Sequence, residues 1–426
     1  MGKKIYSCLF VFLMLSMPMN AVNNFVRVTD GQLTRNGKPY RFIGMNYWYG
    51  SLLGMKTGDR ARLGRELDFL QKQGITNLRA MVGVEGISKN DSHLKFPLQP
   101  KQGEYDDAVL DGLDYFLAEA AKRHITVVLF LSNNWEWSGG FAQYLEWNGK
   151  GAYPYPSEAG WGTFINFVGK FYSCDECKEA FNRHCKYIIS RTNRYTNKPY
   201  TEDPTIMAWE IANEPRPDGA QNKTIYKQWI GEVSHYIKSL DKNHLLTAGT
   251  EGEKGTEEDI ELWKDIHSFP DVDYTTIHIW AKNWSWMDFS DFDRTFAITR
   301  EKMKKYVLDH ALIADQLNKP MVIEEIGFPR DGHLFDPATS TTHRDQYFAD
   351  LFGLFNNKLK SLQGINIWAF GGEGRASDTN YKWKKGDQFV GDPPQEEQGL
   401  NNVFDTDKTT LELIFKCNHK LAKPVR

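Results

Sequence analysis

Short apolar or β-branched runs recur along this chain with amphipathic stretches between them, and that alternation limits the fold more than any other feature. Runs at 42–46, 77–81, 126–131, 206–211, 245–250, 275–279, 321–324 and 364–368 have the length and composition of buried strands. The segments between them are long enough for crossover helices. Leu63, Leu67 and Leu70 share one helical stripe, with Asp59 placed to cap its start and Gly74 its end. Further helices are expected at 107–123, 174–192, 224–240, 292–317, 342–362 and 409–421. Eight strand–helix units predict an α/β fold, the (β/α)8 TIM barrel; an open doubly wound sheet has fewer strands and a Gly-rich first turn, and no GxGxxG follows the first run.

Ahead of the barrel, 25–33 and 40–43 flank Asn36-Gly37, a dipeptide suited to a tight turn, so a short N-terminal β-hairpin is expected to cover the barrel floor. Two segments, 133–172 and 371–407, are too long for simple connections. They follow strands three and eight, are rich in Trp, Tyr and Gly, and lie where barrel loops build a binding face. No Pro/Ser-rich linker or low-complexity tract divides residues 22–426, which read as a single catalytic barrel domain.

Residues 1–21 read as a signal peptide: Lys3 and Lys4 precede an apolar run that ends by Met17, with Pro18 and Ala21 before polar sequence begins. The run is short for a membrane span, so an exported protein, secreted or periplasmic, without stable membrane insertion is expected. Outside that leader stand Cys174, Cys177, Cys185 and Cys417, which an oxidising compartment lets pair in three complete ways. Cys174 and Cys177 are placed to close a short loop. The formal charge of −3, from 52 Lys and Arg against 55 Asp and Glu, carries no electrostatic footprint for nucleic acid.

Reactive groups of a barrel belong at the C-terminal ends of its strands. Strand four runs into Trp209-Glu210-Ile211-Ala212-Asn213-Glu214-Pro215, and strand seven into Ile323-Glu324-Glu325-Ile326-Gly327. Breaking a glycosidic bond needs a proton donor for the departing oxygen and a carboxylate that attacks or activates water, and opposed glutamates at Glu214 and Glu325 supply both. Either residue alone is equally suited to a salt bridge or a helix cap. Strand alternation is expected to turn Glu324 to the side opposite Glu325.

Asn213-Glu214-Pro215 and Glu325-Ile326-Gly327 on these strands resemble glycoside hydrolase family 5, of the clan of retaining (β/α)8 barrels. Asn133-Asn134-Trp135 with Gly139-Gly140, and His278-Ile279-Trp280 with Asn283-Trp284, resemble its endo-β-1,4-mannanase branch more than its cellulases. The resemblance implies Glu214 as general acid/base and Glu325 as nucleophile, with Arg79 at the end of strand two steadying the nucleophile and His278 near the acid. It also implies contacts from Asn213 to the sugar 2-hydroxyl and a hydrophobic floor from Trp368, extended by Trp135 and Trp280. The family commonly carries an aromatic hydroxyl at the position of Trp280, and an indole can donate a hydrogen bond but cannot accept one. Like charges and partial burial are expected to keep Glu214 protonated and Glu325 ionised in the empty enzyme.

The implied partner is a β-mannan-type polysaccharide or oligosaccharide, and no motif calls for a metal or organic cofactor. Two other readings use the same residues: an endo-β-1,4-glucanase, differing in one sugar stereocentre, and a non-catalytic carbohydrate-binding protein, which has no need of opposed carboxylates.

Overall fold

Eight parallel strands form one sheet in the computed structural model, which describes residues 24–422 apart from 89, 357 and 358. In chain order they are Phe42–Asn46, Asn77–Met81, Thr126–Phe130, Ile206–Glu210, Leu245–Thr247, Thr275–Ile279, Met321–Ile326 and Leu362–Ile367, and each is buried along its whole length. First and eighth strands pair in register from Phe42 with Gly364 to Met45 with Ile367, so the first and last strands of the series are neighbours in the wall. Between the fifth and sixth strands the wall is closed by Asp273 N–H donating to Leu246 C=O at 2.8 Å and His278 N–H to Glu251 C=O at 3.1 Å. The expected (β/α)8 barrel is therefore the observed one. The expected leader, residues 1–21, lies outside the described residues, and no described helix is long and apolar enough to cross a membrane.

Helices follow the strands as the stripes predict. Arg60–Lys72 buries Leu63, Leu67 and Leu70, and its Asp59 side chain accepts from Arg62 N–H. The expected helix at 342–362 is shorter, Thr342–Asn356, because Leu362 already belongs to the eighth strand. Asp175–Ile189 starts beside the Cys174–Cys177 disulfide.

The N-terminal ribbon has three strands where a hairpin was expected: Val26–Thr29, Gln32–Arg35 and Lys38–Pro39. Asp30-Gly31, with φ of 51° and 72°, makes a second tight turn like that at Asn36-Gly37, with 53° and 70°, and so divides the run read as one strand. Val26, Leu33 and Tyr40 from this ribbon join Phe42, Val128, Met207, Leu245, Tyr274 and Val322 in a cluster separate from the main core. Those barrel residues precede the functional ends of their strands, so the ribbon seals the floor and leaves the opposite mouth open.

Close packing of the wall allows little adjustment. A Cβ on Gly44, in the first strand, would lie 2.5 Å from the Asn77 carbonyl oxygen of the second. Gly44→Ala is expected to lower unfolding free energy by about 1–3 kcal/mol, the usual cost of overpacking, seen as an earlier urea midpoint. An unchanged midpoint would mean that the two strands part without cost.

Candidate active site

Backbone geometry at the open mouth aims the two glutamates singled out from sequence. Glu214 follows the fourth strand with φ of 52°, a left-handed conformation costing a non-glycine residue roughly 1–3 kcal/mol. The surroundings hold it there: Glu214 N–H donates to Gly249 C=O at 2.9 Å, and Asn213 is clamped by Asn213 N–H to Ser132 C=O and Asn134 N–H to Asn213 C=O. In the seventh strand the pairing slips between Ile323 and Glu325 against Ile277 and His278, a bulge centred on Glu324. Bulges re-aim side chains, and this one overturns the expected alternation. Glu325 Oε2 lies 3.4 Å from His278 Nδ1, and Glu324 Oε2 lies 4.0 Å from Nε2 of the same ring. Glu324 Oε1 accepts from Tyr274 OH at 2.9 Å, towards the barrel floor.

The two carboxylates do meet. One oxygen each of Glu214 and Glu325, together with a His278 ring nitrogen, lie within 4.8 Å of one another. Such a trio has the spacing of metal ligands, but its bonding is already accounted for, since His278 Nδ1 donates to Glu214 Oε1 at 2.6 Å with Glu325 Oε2 3.4 Å from the same nitrogen.

Glu214 is held by three donors. Its Oε1 accepts from His278 and from Trp280 Nε1 at 3.1 Å, and its Oε2 from Trp135 Nε1. Trp280, at the position where an aromatic hydroxyl beside the nucleophile is common, thus points its N–H at the other carboxylate. Burial alone would raise the Glu214 pKa, but the His278 hydrogen bond and charge, with Arg216 and Trp135, carry it down to about 2. His278 moves the opposite way: burial lowers its pKa, and Glu325, Glu214 and Glu324 lift it well above the ordinary imidazole value. In the empty cleft the proton therefore sits on His278, one short hydrogen bond from Glu214. The expectation of a protonated Glu214 fails because the imidazole is the better base in this ring of carboxylates.

Arg79 is completely buried at the end of the second strand. Its Nη1 donates to Glu325 Oε1 at 2.5 Å and to Asn46 Oδ1 at 3.0 Å, while Nε and Nη2 grip Glu210 at 2.7 and 2.5 Å. Nη2 also reaches Asn213 Oδ1 at 2.7 Å, and Asn213 Nδ2 donates to Asn133 Oδ1 at 3.0 Å. Arg79 is thus a buried ion pair with Glu210 through Nε and Nη2 and a contact to Glu325 through Nη1.

Around these groups opens a cleft of about 420 Å³, lined by Trp135, Trp137, Trp161, Trp280, Trp284 and Trp368 with Glu214, Glu325 and Asn213. Trp368 lies edge-on to Trp280, ring centroids 5.9 Å apart. Of two further loop tryptophans, Trp383 is buried against Phe389, and Trp286 packs on Trp284 and Tyr306.

Sequence reasoning missed several residues of this site. Trp161, half exposed, stands edge-on to Trp135 at the lip. Arg216, two residues past Glu214, is paired with Glu251 and lies 4.9 Å over the Trp135 ring. Glu396, from the segment after the eighth strand, also lines the cleft. Signals existed for two of them: Arg216 directly follows the Asn213-Glu214-Pro215 motif, and Glu251 directly follows the fifth apolar run.

The family model described as GH family 5 beta-mannosidase-like matches residues 23–426. The chain belongs to this family of glycoside hydrolases. A glycoside hydrolase family 5 mannosidase from Rhizomucor miehei has the same fold with a TM-score of 0.85 and 34% identity, over 94% of this chain and 98% of that one. An endo-β-1,4-mannanase from Thermotoga petrophila superposes with a TM-score of 0.66 at 26% identity, over 92% and 79% of the two chains. In sequence, mannan endo-1,4-beta-mannosidase 5 of Solanum lycopersicum is 27% identical over 87% of this chain and 90% of its own length.

Removing the His278 proton should strip Glu214 of its partner. His278→Gln is expected to lower kcat/KM on unactivated glycosides by about 10²–10⁴-fold, the usual worth of a positioned acid, and far less on aryl glycosides whose leaving groups need little protonation. Equal losses on both substrates would show that His278 serves some other step.

Proposed function

We propose that the protein is an endo-acting, retaining β-1,4-mannanase that cleaves internal bonds of mannan, glucomannan or galactomannan by double displacement. The observation that carries this reading is the approach of Glu214 and Glu325 oxygens to within 4.8 Å across an aromatic cleft. Carboxyl groups of retaining glycosidases stand about 5–5.5 Å apart, whereas inverting enzymes leave roughly 6.5–9.5 Å for a water. The relatives named as mannan endo-1,4-beta-mannosidases support the mannan preference, as does the Rhizomucor miehei mannosidase solved with mannosyl-fructose.

In the first step Glu325, steadied by Arg79, attacks the anomeric carbon as the glycosidic C–O bond breaks. The departing oxygen takes its proton from Glu214, which receives it along the 2.6 Å hydrogen bond from His278 and is left a carboxylate. In the second step Glu214 removes a proton from water, whose oxygen bonds to the anomeric carbon and releases Glu325. Two inversions preserve the anomeric configuration. Asn213, fixed between Arg79 and Asn133, is placed to hydrogen-bond the sugar 2-hydroxyl, and Trp368 with Trp280 offers apolar surface to the ring's C–H face.

Two measurements test this. Reducing ends should appear from linear mannan and glucomannan with a rapid fall in viscosity, and not from cellulose; release from cellulose at a comparable rate would place the protein with the glucanases. Glu325→Ala should abolish turnover while oligosaccharide binding persists, and Glu214→Gln should slow polysaccharides far more than aryl glycosides. Normal hydrolysis by the Glu325 variant would remove it from the nucleophile's role.

A further inference from the structure

Glu324 stands one residue ahead of the nucleophile, and the two displacement steps give it no part. The bulge in the seventh strand nevertheless turns it to the histidine that serves the acid. Its Oε2 lies 4.0 Å from His278 Nε2, while Nδ1 of the same ring is 2.6 Å from Glu214 Oε1. Both Glu324 Oε2 and His278 Nε2 are buried, and neither has a hydrogen-bond partner among the described residues. Unpaired buried polar atoms are costly, and at this spacing a carboxylate and a ring N–H compensate each other by charge.

Glu324 is held in that position from two sides. Tyr274 OH donates to its Oε1 at 2.9 Å, and Asn46 Nδ2 donates to its backbone carbonyl at 2.8 Å. Arg79, from the second strand, also acts on its charge. The imidazole in turn feels Glu214 and Glu210 from the fourth strand and its loop, Glu251 beyond the fifth, and Glu324 and Glu325 from the seventh. These carboxylates divide between the two ring nitrogens. Glu214 and Glu325 approach Nδ1, whereas Glu324 approaches Nε2.

That division decides where a neutral ring keeps its hydrogen. A neutral imidazole carries one N–H, and the partner of the other nitrogen sets which one. A carboxylate beside Nε2 favours the hydrogen there, as the buried aspartate of a Ser-His-Asp triad does for its histidine. Nδ1 is then the nitrogen that exchanges. In the first displacement its proton passes to Glu214 and on to the departing oxygen, and the ring is left neutral with its hydrogen on Nε2. In the second, the proton that Glu214 takes from water returns to Nδ1, so the cycle ends with the imidazolium it began with.

We propose that Glu324 is a positioning residue that keeps the His278 hydrogen on Nε2 whenever Nδ1 has given up its proton, and so makes the ring a reversible proton store for Glu214. This rests on the glycosidase reading above. Nitrogen NMR of ¹⁵N-histidine-labelled enzyme reads the ring directly, its signals identified by their loss in His278→Gln. In wild type, raising the pH should convert a doubly protonated ring into one protonated at Nε2; a neutral ring protonated at Nδ1 would overturn the proposal without recourse to any Glu324 variant. In Glu324→Gln the amide oxygen still accepts from Tyr274 while the amide N–H groups face Nε2. The ring should then lose its proton about 1–3 pH units lower, the usual effect of removing a nearby opposite charge, and the neutral form should carry its hydrogen on Nδ1. The alkaline limb of kcat/KM on mannotetraose should move down with it, while 4-nitrophenyl β-mannobioside, whose leaving group needs little protonation, keeps the wild-type limb. An unmoved titration, or an equal fall on both substrates at every pH, would reduce Glu324 to a structural role. Because the ring titrates without substrate, failure to cleave mannan would remove the mannan reading and leave the result on Glu324 standing.

Discussion

A guanidinium stripped of water organises this active site. Burying an arginine costs several kcal/mol unless every donor is used, and Arg79 meets that demand with five hydrogen bonds to Asn46, Glu210, Asn213 and Glu325. Those partners stand on or just beyond the first, fourth and seventh strands, so the charge that steadies Glu325 also fixes the relative positions of three parts of the barrel wall. The Phe130 ring, 4.8 Å from the guanidinium carbon, closes another side with the third strand. Four carboxyls, Glu210, Glu214, Glu324 and Glu325, crowd around two cations, Arg79 and His278. Burial, countered by Arg79 and reinforced by Glu324, raises Glu210 to about 8. Glu210 takes two of the Arg79 hydrogen bonds and Glu325 one, so the two carboxyls share a single guanidinium charge.

Much of this arrangement was legible in the sequence because it depends on strand ends. Strand periodicity placed eight runs: runs two, six and eight contain Arg79, His278 and Trp368, and Asn213 with Glu214 and Glu325 lie just past runs four and seven. What sequence did not carry were departures from regular geometry. Alternation sends Glu324 away from Glu325, and only the bulge in the seventh strand brings both towards His278. Whether a second turn interrupts the run at 25–33 depends on Asp30 adopting positive φ, which Asp tolerates without demanding. Glu396 and Trp161 were hidden for a different reason. They lie far along long loops, where no periodicity fixes direction and position depends on many separate hydrogen bonds.

The location of the acid's proton also follows from packing. A carboxylic acid kept neutral by burial needs an apolar pocket with few donors. Glu214 instead sits against three N–H groups, and each stabilises the anion. The site therefore stores its proton on the imidazole beside it. A sugar filling the cleft excludes water and brings an oxygen that gains negative charge as its bond breaks, so the anionic form of Glu214 becomes the product state that those same donors favour. Trp135 and Trp280 can give no proton of their own at neutral pH, which leaves His278 as the neighbour able to replenish Glu214. Trp280 and Trp135 are thus bound to Glu214 by their N–H groups while lining the cleft, so residues that shape the cleft also set the acidity of the carboxyl inside it.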